Sequence, residues 1–283
     1  MTTVISVFDP QPSKRSRRFQ RGVYLLPSLM TVANMACGWA CVVYAMRGDF
    51  GTAAPLIGFA MVLDMFDGRI ARLTGSTSDF GGEFDSFADV ISFGVAPATL
   101  VYAWGLEPLG RLGWAAGFLY VTATAMRLAR FNLQGKGGDK RYFVGLPSPP
   151  AAGVLVSTVF WYPAGLNTTS EAIVALFVVL IPAALMVSPI RFRSIRTIVP
   201  EGRRSFQSLF VIATVISGIT IHPQGVLLAM AYTYVTSGLV GLVLTRIRRR
   251  SAAQDSDTSP SVSAPDDVPK DLAPPTSEFP AAR

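Results

Sequence analysis

Apolar runs long enough to cross about 30 Å of hydrocarbon recur along this chain, and that repetition constrains its fold more than any single motif. A span of that kind needs roughly 20 mainly apolar residues, and in the absence of water its backbone must satisfy its own hydrogen bonds. The runs predict an all-α, polytopic membrane helix bundle with about eight transmembrane helices. They fall at about 24–46, 51–73, 86–106, 112–131, 149–166, 171–189, 206–221 and 224–245. Only 15% of the residues are charged, against about 25% in soluble domains. With a mean hydropathy of +0.41, an ordinary soluble domain is excluded.

The basic residues test that count independently, because short cytoplasmic loops collect Lys and Arg. Lys14, Arg15, Arg17, Arg18 and Arg21 precede the first run, and Arg69 and Arg72 end the second. Arg127, Arg130, Lys136, Lys140 and Arg141 follow the fourth, and Arg191, Arg193, Arg196, Arg203 and Arg204 follow the sixth. Arg246, Arg248, Arg249 and Arg250 follow the eighth, while Arg47 and Arg111 fall in the opposite set of loops. Eight helices with both termini cytoplasmic fit this pattern; dropping one helix would carry whole basic clusters to the other side. The net charge of +7 then reflects topology and attraction to anionic lipid, with no need of nucleic acid.

Three segments follow. Residues 1–22 form a basic cytoplasmic segment without the apolar core of a cleaved signal peptide. Residues 23–246 hold the transmembrane domain. Residues 247–283, rich in Pro, Ser, Ala and Asp, read as a disordered cytoplasmic tail dispensable for chemistry, with partner docking as the alternative. Cys37 and Cys41 are four apart on one helix face, too few for a structural zinc site and awkward for a disulfide, and read as packing residues. His222 falls in an outer loop, which excludes histidine-based catalysis at the aspartates. Asn167, Thr168 and Thr169 make an N-x-T pattern to which no function is assigned.

Four aspartates interrupt this apolar sequence. Asp64, Asp67, Asp85 and Asp89 would together cost on the order of 10 kcal/mol if they faced lipid, so they must line a shared polar cavity. Asp64 and Asp67 are three apart and Asp85 and Asp89 four apart, and each pair projects from one helix face. Two facing pairs form a cup of hard oxygen ligands that suits one or two Mg²⁺ or Mn²⁺ ions. Asp64 precedes Arg72 by eight residues, which sets the cup roughly 12 Å deep and open to the cytoplasm. Gly68 and Gly81 remove side chains where a ligand must come close, or else let helices pack. Arg72 offers a forked cation for phosphate oxygens, or snorkels to the interface. Ser78 adds a hydroxyl donor. A structural salt-bridge cluster is the poorer account of the four aspartates, because too few basic residues lie at their depth.

The run Asp64, Asp67, Gly68, Ala71, Arg72, Gly81, Asp85, Asp89 has the spacing D-x2-D-G-x2-A-R-x8-G-x3-D-x3-D and resembles the CDP-alcohol phosphotransferase motif. The resemblance implies an enzyme that uses a CDP-linked lipid such as CDP-diacylglycerol, with two divalent metals, and works as a homodimer. An alcohol would attack the β-phosphorus and CMP would leave. By the same resemblance Asp64 and Asp85 would touch both metals and Asp67 one, and Asp89 would touch the other and act as general base. Gly68, Arg72 and Ser78 would hold the nucleotide or its diphosphate, with Ser28 and Thr31 near the pyrimidine.

The acceptor is addressed by a second set of residues. RLARFN at 127–132, FVGLPSPPAAG at 143–153 and LPSLMTVANMACG at 26–38 resemble the bacterial and archaeal phosphatidylserine synthase branch. Pro150 stands where that branch more usually has alanine, and Ser28 where the wider superfamily often has asparagine. The resemblance implies L-serine as acceptor, with Arg127, Arg130 and Asn132 as candidate binders; the arginines could equally mark a cytoplasmic helix end. Inositol phosphate and glycerol 3-phosphate are the alternative acceptors, and each would ask for more basic residues beside the aspartates. A cation-coupled secondary transporter is the alternative of another class; it would need no GxxAR element, and no inverted repeat of broken helices is evident. In a bacterium the expected location is the cell membrane.

Overall fold

The computed structural model describes residues 14–74, 79–134, 142–188, 191–193 and 205–239. Helices dominate it: α1 (Lys14–Met46), α2 (Phe50–Thr74), α3 (Asp79–Asp89), α4 (Ala96–Val101), α5 (Arg111–Gln134), α6 (Ser148–Trp161), α7 (Thr169–Val187), α8 (Ser205–Ile221) and α9 (223–239). The third predicted helix is α3 and α4 joined in one rod, interrupted by π-helical turns at Val90–Val95 and Tyr102–Leu106. It starts at Asp79 rather than near 86, so Asp85 and Asp89 lie inside the rod and not at its tip. Strands β1 (Tyr142–Val144) and β2 (Arg191–Arg193) form a three-residue antiparallel ribbon that pairs Phe143 with Phe192.

Among the described residues, four stretches are long and apolar enough to cross a bilayer: Pro27–Met46, Phe50–Ile70, Phe80–Leu109 and Thr169–Val187. Of the remaining described helices, α6, α8 and α9 are too short for that standard, and α5, though 24 residues long, is not apolar enough. At 14 residues, α6 reaches only about 21 Å; it stops at Trp161, not near 166, because Tyr162 precedes Pro163 and leaves the helix at φ −131°, ψ 80°. Large apolar side chains point outward all the same. Trp39, Phe59, Trp114, Phe118, Phe177 and Phe210 are each more than half exposed, which in a chain this apolar marks surface turned to lipid. This is an integral membrane protein.

The buried faces of α1 and α2 are built instead from small residues, Gly38, Cys41, Ala45, Ala53, Ala54 and Ala60, which let backbones approach where no hydrophobic effect drives them together. Their hairpin turns at Gly48, whose φ of 75° suits glycine. Asp49 Oδ1 then caps α2 by accepting from the Thr52 N–H at 3.1 Å. Both cysteines are free. Thr168 of the N-x-T pattern caps α7, in a capping box with Glu171.

Packing beside the rod has a sequence cause. Pro97 has no N–H to offer the Phe93 carbonyl four residues earlier, and the buried Tyr120 hydroxyl of α5 donates to that carbonyl at 3.2 Å. The adjacent Ser92, fully buried, donates to the Asn34 main-chain carbonyl of α1 at 3.0 Å. A Cβ on Gly38 would meet Ser92 Oγ at 2.7 Å, so α1 and the π turn touch backbone to backbone there.

Candidate metal and active site

α2 and α3 bring the two aspartate pairs together. Helical spacing puts Asp64 and Asp67 on one face of α2, and Asp85 and Asp89 on one face of α3. One carboxylate oxygen from each of Asp64, Asp67 and Asp85 lies within 4.8 Å of the other two. Asp89 stands beside Asp64, the two carboxyl groups within hydrogen-bonding reach. Asp67 is buried and the other three are half-buried.

Oδ1 of Asp67, of Asp85 and of Asp89 is buried without a hydrogen-bond partner. Desolvated carboxylate oxygens of that kind are costly unless a cation or donor meets them. Among the described residues, Arg127 is the cation brought close to Asp64 and Asp89. One guanidinium against four carboxylates leaves negative charge to be matched, and all the donors are hard oxygens. The cluster therefore fits a divalent metal.

The nucleotide-side candidates divide. Thr31, buried on α1, places its hydroxyl 3.1 Å from the Pro27 carbonyl and 3.3 Å from Asp67 Oδ2, so its proton serves both acceptors. Ser28, one turn earlier, is exposed. Gly68 is half-buried, and a Cβ there would meet nothing within 4 Å. That leaves open space next to Asp67 at this position. Gly81 lies on α3 one turn before Asp85. Ser78 and the side chain of Arg72 lie outside the described residues.

The acceptor-side candidates part company as well. Arg127 on α5 is half-buried, donates from Nη1 to Ser148 Oγ at 2.7 Å, and lies 5.6 Å over the Phe131 ring. Arg130 turns the other way and donates to the Val187 carbonyl at 3.3 Å, tying α5 to the last turn of α7. Asn132 donates to Ser86 Oγ at 3.0 Å, beside Asp85. Sequence reasoning missed Ser148 as partner of Arg127, Thr31 as partner of Asp67, and Tyr234 of α9, which sits within electrostatic reach of Arg127. The S-P-P sequence at the start of α6 carries no signal for the first of these. His222 lies away from the aspartates, beside Trp161 at a ring separation of 6.1 Å.

The sequence profile of the CDP-alcohol phosphatidyltransferase family matches residues 24–190. A CDP-diacylglycerol–serine O-phosphatidyltransferase of Helicobacter pylori is 34% identical over 220 residues, covering 77% of this chain and 91% of the relative. One from Mycobacterium leprae is 41% identical over 143 residues, 49% of this chain and 47% of the relative. An archaetidylserine synthase of Methanothermobacter thermautotrophicus is 34% identical over 169 residues, 59% of this chain and 69% of the relative. The profile match spans both aspartate pairs, Thr31 and Arg127. The chain is a membrane-embedded transferase and belongs to the CDP-alcohol phosphatidyltransferase family.

Proposed function

We propose that this enzyme transfers the phosphatidyl group of CDP-diacylglycerol to L-serine, giving phosphatidylserine and CMP. The observation that carries the acceptor is Arg127, a half-buried guanidinium held by Ser148 next to Asp64 and Asp89. Its fork suits a carboxylate, and the carboxylates around it suit an ammonium, so the pair matches a zwitterion better than a phosphate dianion. The names of the relatives from Helicobacter and Mycobacterium support the same acceptor.

Asp64, Asp67, Asp85 and Asp89 are the residues that would hold divalent metal, Mg²⁺ or Mn²⁺ and two ions by family likeness. When bound, such ions neutralise the diphosphate and stabilise CMP as leaving group. The serine hydroxyl oxygen forms the new bond to the β-phosphorus as the bond from that phosphorus to the CMP oxygen breaks. Asp89 takes the hydroxyl proton, a role supported by its place beside Asp64 and Arg127. Thr31 orients Asp67, and Gly68 leaves room for the nucleotide, which Ser28, Arg72 and Ser78 complete.

The cup opens to the cytoplasm, with both termini on that side; the alternation of basic loops supports this. The catalytic unit is 23–246, between the basic segment 1–22 and the tail 247–283, and the enzyme acts as a homodimer. Purified full-length protein with CDP-diacylglycerol, Mg²⁺ or Mn²⁺ and labelled serine, inositol phosphate or glycerol 3-phosphate tests the reading. CMP release with label entering lipid from serine is expected. Label entering lipid from another acceptor alone overturns the acceptor, and no CMP release with any acceptor overturns the reaction.

A further inference from the structure

Asn34 is fully buried on α1, and neither its Oδ1 nor its Nδ2 has a hydrogen-bond partner. A buried carboxamide has one acceptor and two donor positions to satisfy, and native interiors rarely leave such a group with none. Its surroundings locate it. One turn before it Thr31 meets Asp67 of α2 at 3.3 Å, which sets those two residues level. α1 and α2 are antiparallel across the Gly48 turn, so three residues onward on α1 and three residues back on α2 each move about 4.5 Å in the same direction. Asn34 is thereby level with Asp64. The Ser92 hydroxyl donates to the Asn34 main-chain carbonyl, and Ser92 follows Asp89 by about one turn. Asn34 thus occupies the layer of Asp64 and Asp89, whose carboxyl groups adjoin each other, and Oδ1 of Asp89 is itself without a partner.

We propose that Asn34 is a positioning residue of the metal cup, its carboxamide N–H orienting the Asp64 and Asp89 carboxylates, directly or through one water, as they close on a divalent cation. The proposal rests on the metal reading of the four aspartates. Supporting donors of this type fix the orientation of metal ligands, and losing one typically weakens metal binding about 10- to 100-fold.

The test uses purified full-length protein and the midpoint Mg²⁺ or Mn²⁺ concentration for thermal stabilisation, read without substrate. Asn34→Leu, of similar volume and without polar atoms, is expected to raise that midpoint about 10- to 100-fold while its metal-free stability is equal to or above that of the unmodified protein, since an unpartnered polar group has gone. Asn34→Asp is the second variant and needs no change of size. A carboxylate in that layer is expected to lower metal-free stability and to lower the midpoint, because it adds negative charge beside the bound cation. Unchanged midpoints in both variants overturn the proposal and make Asn34 a packing residue. If Leu prevents folding, the direction of the Asp shift decides alone. A wild-type protein with no metal-dependent stabilisation overturns the metal reading itself, and is distinguished by failing before any variant is made.

Discussion

The hydroxyl of Thr31 on α1 stands 3.3 Å from Asp67 Oδ2 on α2, and both groups are buried. A neutral donor on one helix thus sets the angle of a carboxylate on the next. Thr31→Val keeps the shape and removes the donor, so metal binding should weaken about 10-fold or more. Activity titrated against Mg²⁺ should shift to higher metal and recover at saturation; an unshifted titration would remove Thr31 from the site.

Asp64→Asn and Asp85→Asn should each abolish turnover and weaken metal-dependent stabilisation, because each takes a charge from the shared cluster. Asp89→Asn keeps size and one oxygen but cannot accept the proton. It should retain CDP-diacylglycerol binding with metal present, yet form lipid product at least about 10²-fold more slowly, the low end for a general base. Wild-type turnover in Asp89→Asn would send the proton elsewhere.

Arg127 and Arg130 should separate in kinetics although both lie in RLARFN. Arg127→Lys loses the fork and should raise the serine KM about 10-fold or more while changing the CDP-diacylglycerol KM little. Arg130→Ala loses its bond to the Val187 carbonyl, and its chief effect should be a loss of about 1 kcal/mol in stability, with a smaller change in serine KM. Equal serine effects for the two would argue that both bind the acceptor.

Gly38 and Gly68 should fail differently when changed to alanine. At Gly38 the new methyl would meet Ser92 Oγ at 2.7 Å and Ser92 Cα at 2.9 Å, an overpacking worth about 1 to 3 kcal/mol, visible as a lower Tm. At Gly68 it meets no atom, so Tm should hold while the CDP-diacylglycerol KM rises. A Tm loss at Gly68 with unchanged KM would reverse the assignment.

Topology can be read directly. Reporters placed after Arg250 and within 136–141 should face the cytoplasm, and a tag at Asn167 should face outside. Opposite labelling at any of the three would break the arrangement deduced from the basic loops.

The helix pattern and the pairing of the aspartates were legible because both depend on local periodicity: apolar runs set the elements, and spacings of three and four set a shared face. What escaped depends on contacts far apart in sequence. Nothing near Arg127 announces Ser148, and nothing near Thr31 announces Asp67 on the neighbouring helix. The early start of α3 escaped because Asp79, Gly81 and Gly82 are poor helix formers, and their polarity reads as loop. The π turn after Asp89 had one local sign, Pro97, but that sign fits a kink as well as a π turn. Asn34 lay in plain view inside a run chosen for resemblance, and only the structure singles it out by leaving its amide without a partner.

The Tyr120 hydroxyl that donates to the Phe93 carbonyl also sets a width. Tyr120 fastens α5 to the rod at Phe93, and Asn132 fastens the same two helices again at Ser86. Between those rivets α5 carries Arg127 and the rod carries Asp89. The gap between guanidinium and carboxylate is therefore a gauge with fixed jaws, set by two helices and not by a loop. On the roles proposed for Arg127 and Asp89, an acceptor would be measured by whether its carboxylate and its hydroxyl span that gauge together, and a longer or shorter alcohol would meet one jaw but miss the other.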